Sequence, residues 1–317
     1  MKLTVVIPTF NRVRLLSEAI DSILSQSIAV HEIVIVDDAS NDDTQSFCQK
    51  LTQEKRSTSV VFIRNDKNCG AQVCRNIGWQ LSTGDAILFM DSDDVLTKNG
   101  VQPLLQELEI NPNLDYVFGK VVRTDSQLQP LANLEPVGSS FSTEPREIAG
   151  YHWHTMGAIY RKEYLRQVGL WNEDLTGSQD WEFQARVKLA GGQGKFIEHT
   201  VGFWRDHSND RVGTKKFRHD YVTSVIKACL VIRDKSRETG IADSSLERRL
   251  AKKMVFHALE FAVNGYRKER CQSLSYAIET LHTNPIMQFV VRCWRVLSSS
   301  FDWVLWKLIH LNYETTV

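Results

Sequence analysis

The sequence predicts an α/β fold, a mostly parallel central sheet flanked by helices, continued by a helical C-terminal region. Three observations lead there. Four near-continuous apolar runs, "LTVVIP" (3–8), "EIVIVDD" (32–38), "SVVFIRN" (59–65) and "DAILFMD" (85–91), alternate with segments whose apolar residues recur at helical spacing. Strands buried on both faces of a parallel sheet read this way. Polar clusters follow the strands: Thr9-Phe10-Asn11-Arg12, Asp37-Asp38, Asn68 and Asp91-Ser92-Asp93-Asp94. In open α/β sheets ligands lie at those carboxyl ends. Beyond about residue 217 the helix breakers are few, namely Gly240, Gly265 and Pro285.

The elements run in order along the chain. "RLLSEAIDSILSQ" (14–26) predicts a first helix and "DDTQSFCQKLTQ" (42–53) a second, with Asn41 or Asp42 as its cap. "AQVCRNIGWQLS" (71–82) predicts a third. "LDYVFGKVV" (114–122) reads as a strand, followed by a loop-like stretch holding Pro130, Pro136 and Pro145. "HTMGAIYRKEYLRQVGLW" (154–171) comes next, then "SQDWEFQARVKLAGG" (178–192), a short helix closed by Gly191-Gly192. "GKFIEHTVGFWRDH" (194–207) reads as a returning strand. The chain thus divides into a sheet domain over 1–215 and a helical region over 216–317.

The totals narrow the function classes. At 317 residues, one large domain or two modest ones fit. Lys plus Arg and Asp plus Glu are 38 each, so a broad electrostatic grip on nucleic acid is not expected. Cys48, Cys69, Cys74, Cys229, Cys271 and Cys293 form no CxxC pair, which suits free thiols in a reducing compartment. The N-terminus runs from Met1-Lys2 straight into a strand, without a leader-like region, and a cytoplasmic protein is expected.

The chemistry concentrates at "MDSDDVL" (90–96), where Asp91, Asp93 and Asp94 crowd into four positions. Acidic residues often end strands as turn formers. Here they are clustered, and Asp37-Asp38 stands two strands earlier. Two or three carboxylates at a strand end suit a hard divalent cation, Mn²⁺ or Mg²⁺, which relieves their repulsion and grips phosphate oxygens.

The combination of "VVIPTFNR" (5–12), "IVIVDDASNDDT" (35–44), "NCGAQVCRNIGW" (68–79), "STGDAILFMDSDDVL" (82–96) and "GSQDWEFQARV" (177–187) resembles the family 2 glycosyltransferases. Order and spacing agree over roughly residues 1–210. The resemblance implies a GT-A fold, Rossmann-like, and a metal-dependent, inverting transfer of a sugar from a nucleotide-sugar, with UDP-sugars favoured, to a hydroxyl acceptor in glycan, polysaccharide or glycolipid assembly. Pro8, Thr9, Asn11, Arg12, Asp38, Arg75, Asp91 and Ser92 would line the donor. Thr9 and Asp38 would meet base and ribose, and Arg75 the diphosphate, which a guanidinium can bind bidentately. Asp91 would touch the ribose or support the loop. Asp93 would bind the metal, with Asp94 a second ligand or an orienting group. His207, in "FWRDHSNDRVG", resembles a segment that completes the metal shell or contacts phosphate; a surface-loop histidine is the alternative.

Asp180, in "GSQDWEF", stands where this family has its general base, a carboxylate that takes the proton of the attacking hydroxyl. The chain carries Gln179 where many relatives have Glu. Trp181, Glu182 and His154 would face the acceptor, although Trp181 could equally pack into the core and the His152/His154 pair could simply pack. There is no QxxRW, the mark of processive synthases, so transfer of a single sugar is expected. The alternatives are a sugar nucleotidyltransferase, which would show a glycine-rich loop after the first strand, and a catalytically silent binding module, which would have no need of Asp38, Asp93 and Asp180.

"IMQFVVRCWRVLSSSFDWVLWKLIHLNY" (286–313) is apolar and Trp-rich but is interrupted by Arg292, Arg295, Asp302 and Lys307, too often for a spanning helix. It suits either a helix lying in a membrane interface, at the inner face where a lipid-linked acceptor would be met, or one packed against the catalytic domain or a second copy.

Overall fold

β1 (Leu3–Thr9), β2 (Glu32–Asp37) and β4 (Ala86–Phe89) are buried at every position, which is why their sequences run apolar without alternation. β3 (Ser59–Arg64) is less buried and ends exposed, as an outer strand should. The structure, a computed structural model, describes residues 1–132, 134, 136–138, 148, 150, 153–206 and 219–280. It divides the chain into two compact units: Met1–Ser142, Tyr151–Glu173 and Ala190–Asn209 form the first, and Thr143–Gly150, Asp174–Leu189 and Asp210–Val317 the second. The segment around Asp180 therefore groups with the C-terminal helices, not with the sheet as a boundary near 215 would have it.

In the first unit, α1 (Val13–Leu24), α2 (Thr44–Gln53) and α3 (Ala71–Leu81) connect β1 to β4. β5 (Val95–Leu96), α4 (Gln102–Ile110), β6 (Tyr116–Thr124), β7 (Ala158–Arg161), α5 (Lys162–Val168) and β8 (Gly194–Arg205) follow. The eight strands form one sheet in the order β3-β2-β1-β4-β7-β6-β8-β5. β3, β2, β1 and β4 are mutually parallel, as the alternating pattern predicts. β7 pairs antiparallel with β4 and β6, β8 pairs parallel with β6, and β5 closes antiparallel on β8. Ile7, Ile20, Ile33 and Leu88 are each no more than 1% exposed, and a fully buried side chain of this kind contributes about 1.5–3 kcal/mol.

Two local details set the loops at the strand ends. A Cβ on Gly78 of α3 would lie 2.3 Å from Val6 Cγ1 of β1, so the glycine lets α3 lie close on the sheet and fixes its first turn at the strand ends. The cap of α2 falls at Asp43, one or two residues later than predicted, and Asp43 makes no side-chain cap bond. Asp42 supplies the bond instead: its Oδ1 accepts from Thr44 N at 3.1 Å and its Oδ2 from Val13 N at 3.0 Å, tying the starts of α1 and α2 together.

The second unit is helical where described: α6 (Gln179–Leu189), α7 (His219–Glu238), α8 (Ser244–Val263) and α9 (Arg267–Thr280). Leu175, Ala185, Ile232, Leu250, Met254 and Leu274 meet in its apolar core. α8 is capped by Asp243, whose Oδ1 accepts from Ser245 N at 3.0 Å and Leu246 N at 2.8 Å. The five described cysteines are free, and burial pushes the Cys48 and Cys229 thiols up to about 12. No helix among the described residues is long and apolar enough to cross a membrane. The interfacial helix expected over 286–313 lies outside the described residues.

Candidate functional site

In the first unit the carboxyl ends of β1, β2, β3 and β4 carry almost every residue expected at the donor. Pro8 lies within β1 opposite Val36 of β2. Thr9 ends β1, and its carbonyl accepts from Asp38 N at 2.8 Å. The Thr9 hydroxyl is buried and makes no hydrogen bond to any described group, a polar atom that calls for a ligand. Asn11 adopts φ 51°, a conformation asparagine tolerates better than most residues. There Asn11 N donates to Ser40 Oγ at 2.8 Å, and Asn11 Oδ1 accepts from Asn41 N at 2.7 Å. The β1–α1 and β2–α2 turns are thus joined.

The two aspartates after β2 do different work. Asp37 is fully buried and accepts from Ser40 N at 3.0 Å and from Arg64 Nη1 at 2.8 Å. Asp38 organises the loop after β3: its Oδ1 accepts from Asn65 Nδ2 at 2.9 Å and Cys69 N at 2.8 Å, and its Oδ2 from Gly70 N at 2.8 Å. The Cys74 thiol hydrogen-bonds to this carboxylate as well, and burial together with the Asp38 charge pushes that thiol up.

Asp91, Asp93 and Asp94 each bring a carboxylate oxygen within 4.8 Å of the others. Arg75 Nη2 donates to Asp91 Oδ1 at 2.6 Å, and its guanidinium lies 4.5 Å from the centroid of the Trp171 ring. Arg12 Nη1 donates to Asp93 Oδ2 at 2.7 Å. Asp94, 1% exposed, accepts from Arg205 N at 3.1 Å, and His154 Nδ1 lies 3.8 Å from its Oδ2. Ser92 is buried between them. An all-oxygen donor set of this density suits a hard cation.

Arg205, the arginine two residues before His207, fixes this loop from behind. Its Nε donates to Asp93 O at 3.1 Å, Nη1 to Ser126 O at 3.0 Å and Nη2 to Glu18 Oε2 at 2.6 Å. The adjoining pairing of Val95 with Phe203 holds the loop's far end. Arg64 and Trp171 were missed, since their partners come from distant segments. His154, expected toward the acceptor, stands beside Asp94 of the acidic loop, its ring against Trp204 at 5.1 Å. His207 and His152 lie outside the described residues.

In the second unit, Asp180 opens α6. Its Oδ1 accepts from Trp181 N at 2.8 Å, and Ser178 before it adopts φ 54°, a strained conformation for a non-glycine residue. α7 holds that turn. Ser224 Oγ accepts from Gly177 N at 3.0 Å and donates to Gly177 O at 2.7 Å. A Cβ on Gly177 would lie 2.4 Å from the Tyr221 ring, so only glycine fits. Burial pushes the Tyr221 phenol up, and the charges of Asp180 and Glu260 add to it against a hydrogen bond with Ser178. Trp181 and Glu182, expected on the acceptor side, are interior. Trp181 packs in the helical core, and Glu182, fully buried, accepts from Arg186 Nη2 at 3.0 Å.

Comparison with known proteins places this geometry. A model of glycosyl transferase family 2 matches residues 4–169. An uncharacterized glycosyltransferase of Haemophilus influenzae is 32% identical over 197 residues, spanning 58% of this chain and 61% of that protein. The Campylobacter jejuni GalNAc(5)-diNAcBac-PP-undecaprenol β-1,3-glucosyltransferase is 36% identical over 118 residues, 37% of each chain. The chain thus aligns with less than two thirds of either relative's length. Among solved structures, S. aureus TarS 1–349 in complex with UDP-GlcNAc superposes with a TM-score of 0.71 at 17% identity, covering 89% of this chain and 82% of that one. The mannosyltransferase PcManGT from Pyrobaculum calidifontis, in complex with GDP-Man and Mn²⁺, gives 0.55 at 15% identity, covering 95% and 84%. At such identities the likeness concerns the fold, which is that of the GT-A glycosyltransferases.

Proposed function

Since the chain belongs to glycosyltransferase family 2, we propose that it moves a single sugar from a nucleotide-sugar, a UDP-sugar by preference, to a hydroxyl acceptor, with inversion. The convergence of Asp91, Asp93 and Asp94 at the end of β4 carries this reading. Asp93 and Asp94, with Asp91, would hold Mn²⁺ or Mg²⁺. When bound, the cation supplies charge stabilisation to the departing nucleoside diphosphate. The buried Thr9 hydroxyl and the Asp38 carboxylate would meet the nucleoside. Arg12 and Arg75, each paired with a carboxylate of the loop after β4, would turn to the diphosphate. Asp180 would accept the proton of the acceptor hydroxyl as the anomeric carbon gains positive charge. The undecaprenol-linked acceptor of the Campylobacter relative and the UDP-GlcNAc of the TarS complex support a lipid-linked or glycan acceptor and a UDP donor here too. A sugar nucleotidyltransferase is disfavoured because the turn after β1 carries no glycine.

Calorimetric titration with UDP, GDP and dTDP, each with Mn²⁺ and with EDTA, tests the reading. Binding of one nucleotide, lost in EDTA, is the expected result. A folded protein that binds none of the three would refute the donor site.

A further inference from the structure

We infer that Trp171 is a positioning residue for Arg75: its indole is the platform on which the guanidinium is held at the loop after β4, and Asn76 fixes that platform. The inference rests on the reading of Arg75 as a donor-site residue.

The arrangement lies wholly within the first unit. Gln72, Arg75 and Asn76 stand at helical spacing on one face of α3. Arg75, 5% exposed, sets its guanidinium carbon 4.5 Å from the centroid of the Trp171 ring, while Nη2 donates to Asp91 Oδ1 at 2.6 Å. Asn76, also buried, clamps the backbone of Trp171 in both directions. Its Oδ1 accepts from Trp171 N at 2.8 Å, and its Nδ2 donates to Trp171 O at 2.9 Å and to Glu173 Oε1 at 2.8 Å. Gln72 Nε2 donates to Glu173 O at 3.2 Å. The Phe89 ring of β4 meets the indole nearly at right angles, with centroids 5.2 Å apart. One helix face thus supplies both the cation and the clamp on the ring beneath it.

A charge buried this deeply has to be compensated. A second carboxylate would do so by occupying N–H groups, and it would add negative charge where a diphosphate is to arrive. An aromatic face holds the cation through its ring quadrupole, an attraction that strengthens with desolvation. It takes none of the N–H groups that bind oxygen. The donors of Arg75 can then pass from Asp91 to phosphate oxygens without the cation losing its seat.

Calorimetry on the full chain with Mn²⁺ tests this, using whichever of UDP, GDP and dTDP the protein binds, and the nucleoside of the same base in competition. Trp171→Leu should weaken the diphosphate about tenfold and leave the nucleoside unchanged. Trp171→Phe, which restores an aromatic face, should recover most of the loss. Arg75→Gln should weaken the diphosphate by about 10–100-fold. Adding Trp171→Leu to it should cost nothing further, because the indole acts through the guanidinium. Equal losses of diphosphate and nucleoside in Trp171→Leu, or additive losses in the double variant, overturn the inference and leave Trp171 a packing residue. Should Trp171→Leu not fold, difluorotryptophan incorporated into the parent weakens the ring quadrupole at nearly constant shape. The diphosphate should then bind about threefold more weakly, and the same label in Trp171→Phe should have no such effect; an unchanged affinity in the labelled parent overturns the inference. The donor reading is judged by Arg75→Gln alone. If that variant bound the diphosphate as the parent does, the reading of Arg75 would fail whatever the Trp171 variants showed.

Discussion

The two units hold their carboxylates by opposite means. At the end of β4, Asp91 and Asp93 each meet a guanidinium at 2.6–2.7 Å, and Asp94 is tied to the backbone of Arg205. At the start of α6, Asp180 accepts from the N–H of Trp181 and makes no ion pair among the described residues. On the proposed reading, counter-ions pressed onto carboxylates suit a site that a metal and a diphosphate would rearrange, because the arginines would find new partners there. A base would have to keep its oxygens available throughout. Carboxylates paired with arginines in one unit and a carboxylate held only by a backbone N–H in the other would fit these two tasks.

The comparison is broken most severely at Asp180. Asp180→Asn should slow transfer by on the order of 10³-fold, within the range of general-base catalysis, while nucleotide binding measured by calorimetry stays as in the parent. A loss of nucleotide binding in that variant would make Asp180 a donor residue and erase the contrast. Asp93→Asn comes next. It should weaken Mn²⁺-dependent nucleotide binding by at least about 100-fold, since even residues that merely support metal ligands cost 10–100-fold. Undiminished binding would move the metal elsewhere. The smallest effect sharpens the picture: Ser224→Ala removes both bonds to Gly177 and should lower the stability of the helical unit by about 1–2 kcal/mol, read as a lower thermal midpoint. It should also reduce transfer without touching nucleotide binding, because the turn it releases is the one that presents Asp180. Equal losses of transfer and nucleotide binding would show that the two tasks are not separable.

The gathering of the polar residues at the strand ends was legible in the sequence, and for a physical reason. Parallel strands deliver their following loops to one edge, so chain order alone gathers Thr9, Asp38, Arg75 and Asp91–Asp94. What those residues touch was not legible, because the partners come from far along the chain: Trp171 beneath Arg75, Arg205 behind Asp93, His154 beside Asp94. His154 in particular precedes a short turn and β7, and nothing local shows that it stands beside the acidic loop after β4. The helical side was read less well. Trp181, Glu182, Phe183, Gln184 and Ala185 are buried in succession, so α6 offers no amphipathic stripe by which inward and outward faces can be told apart. Glu182 was therefore expected to face an acceptor, and its burial in an ion pair with Arg186 was not legible. Which helices support Asp180 depends on how α7 and α8 fold against α6, and no motif records that.

The loop after β3 owes its shape to one side chain. The amides of Cys69 and Gly70 lie outside any strand or helix, yet both are bound to the Asp38 carboxylate. In hydrogen–deuterium exchange they should form a pair of slow amides in an otherwise fast stretch. Their lifetimes would then report on the Asp38 contacts, with neither substrate nor metal added. The protein would thus carry its own gauge of whether this loop is assembled, readable in any variant that folds.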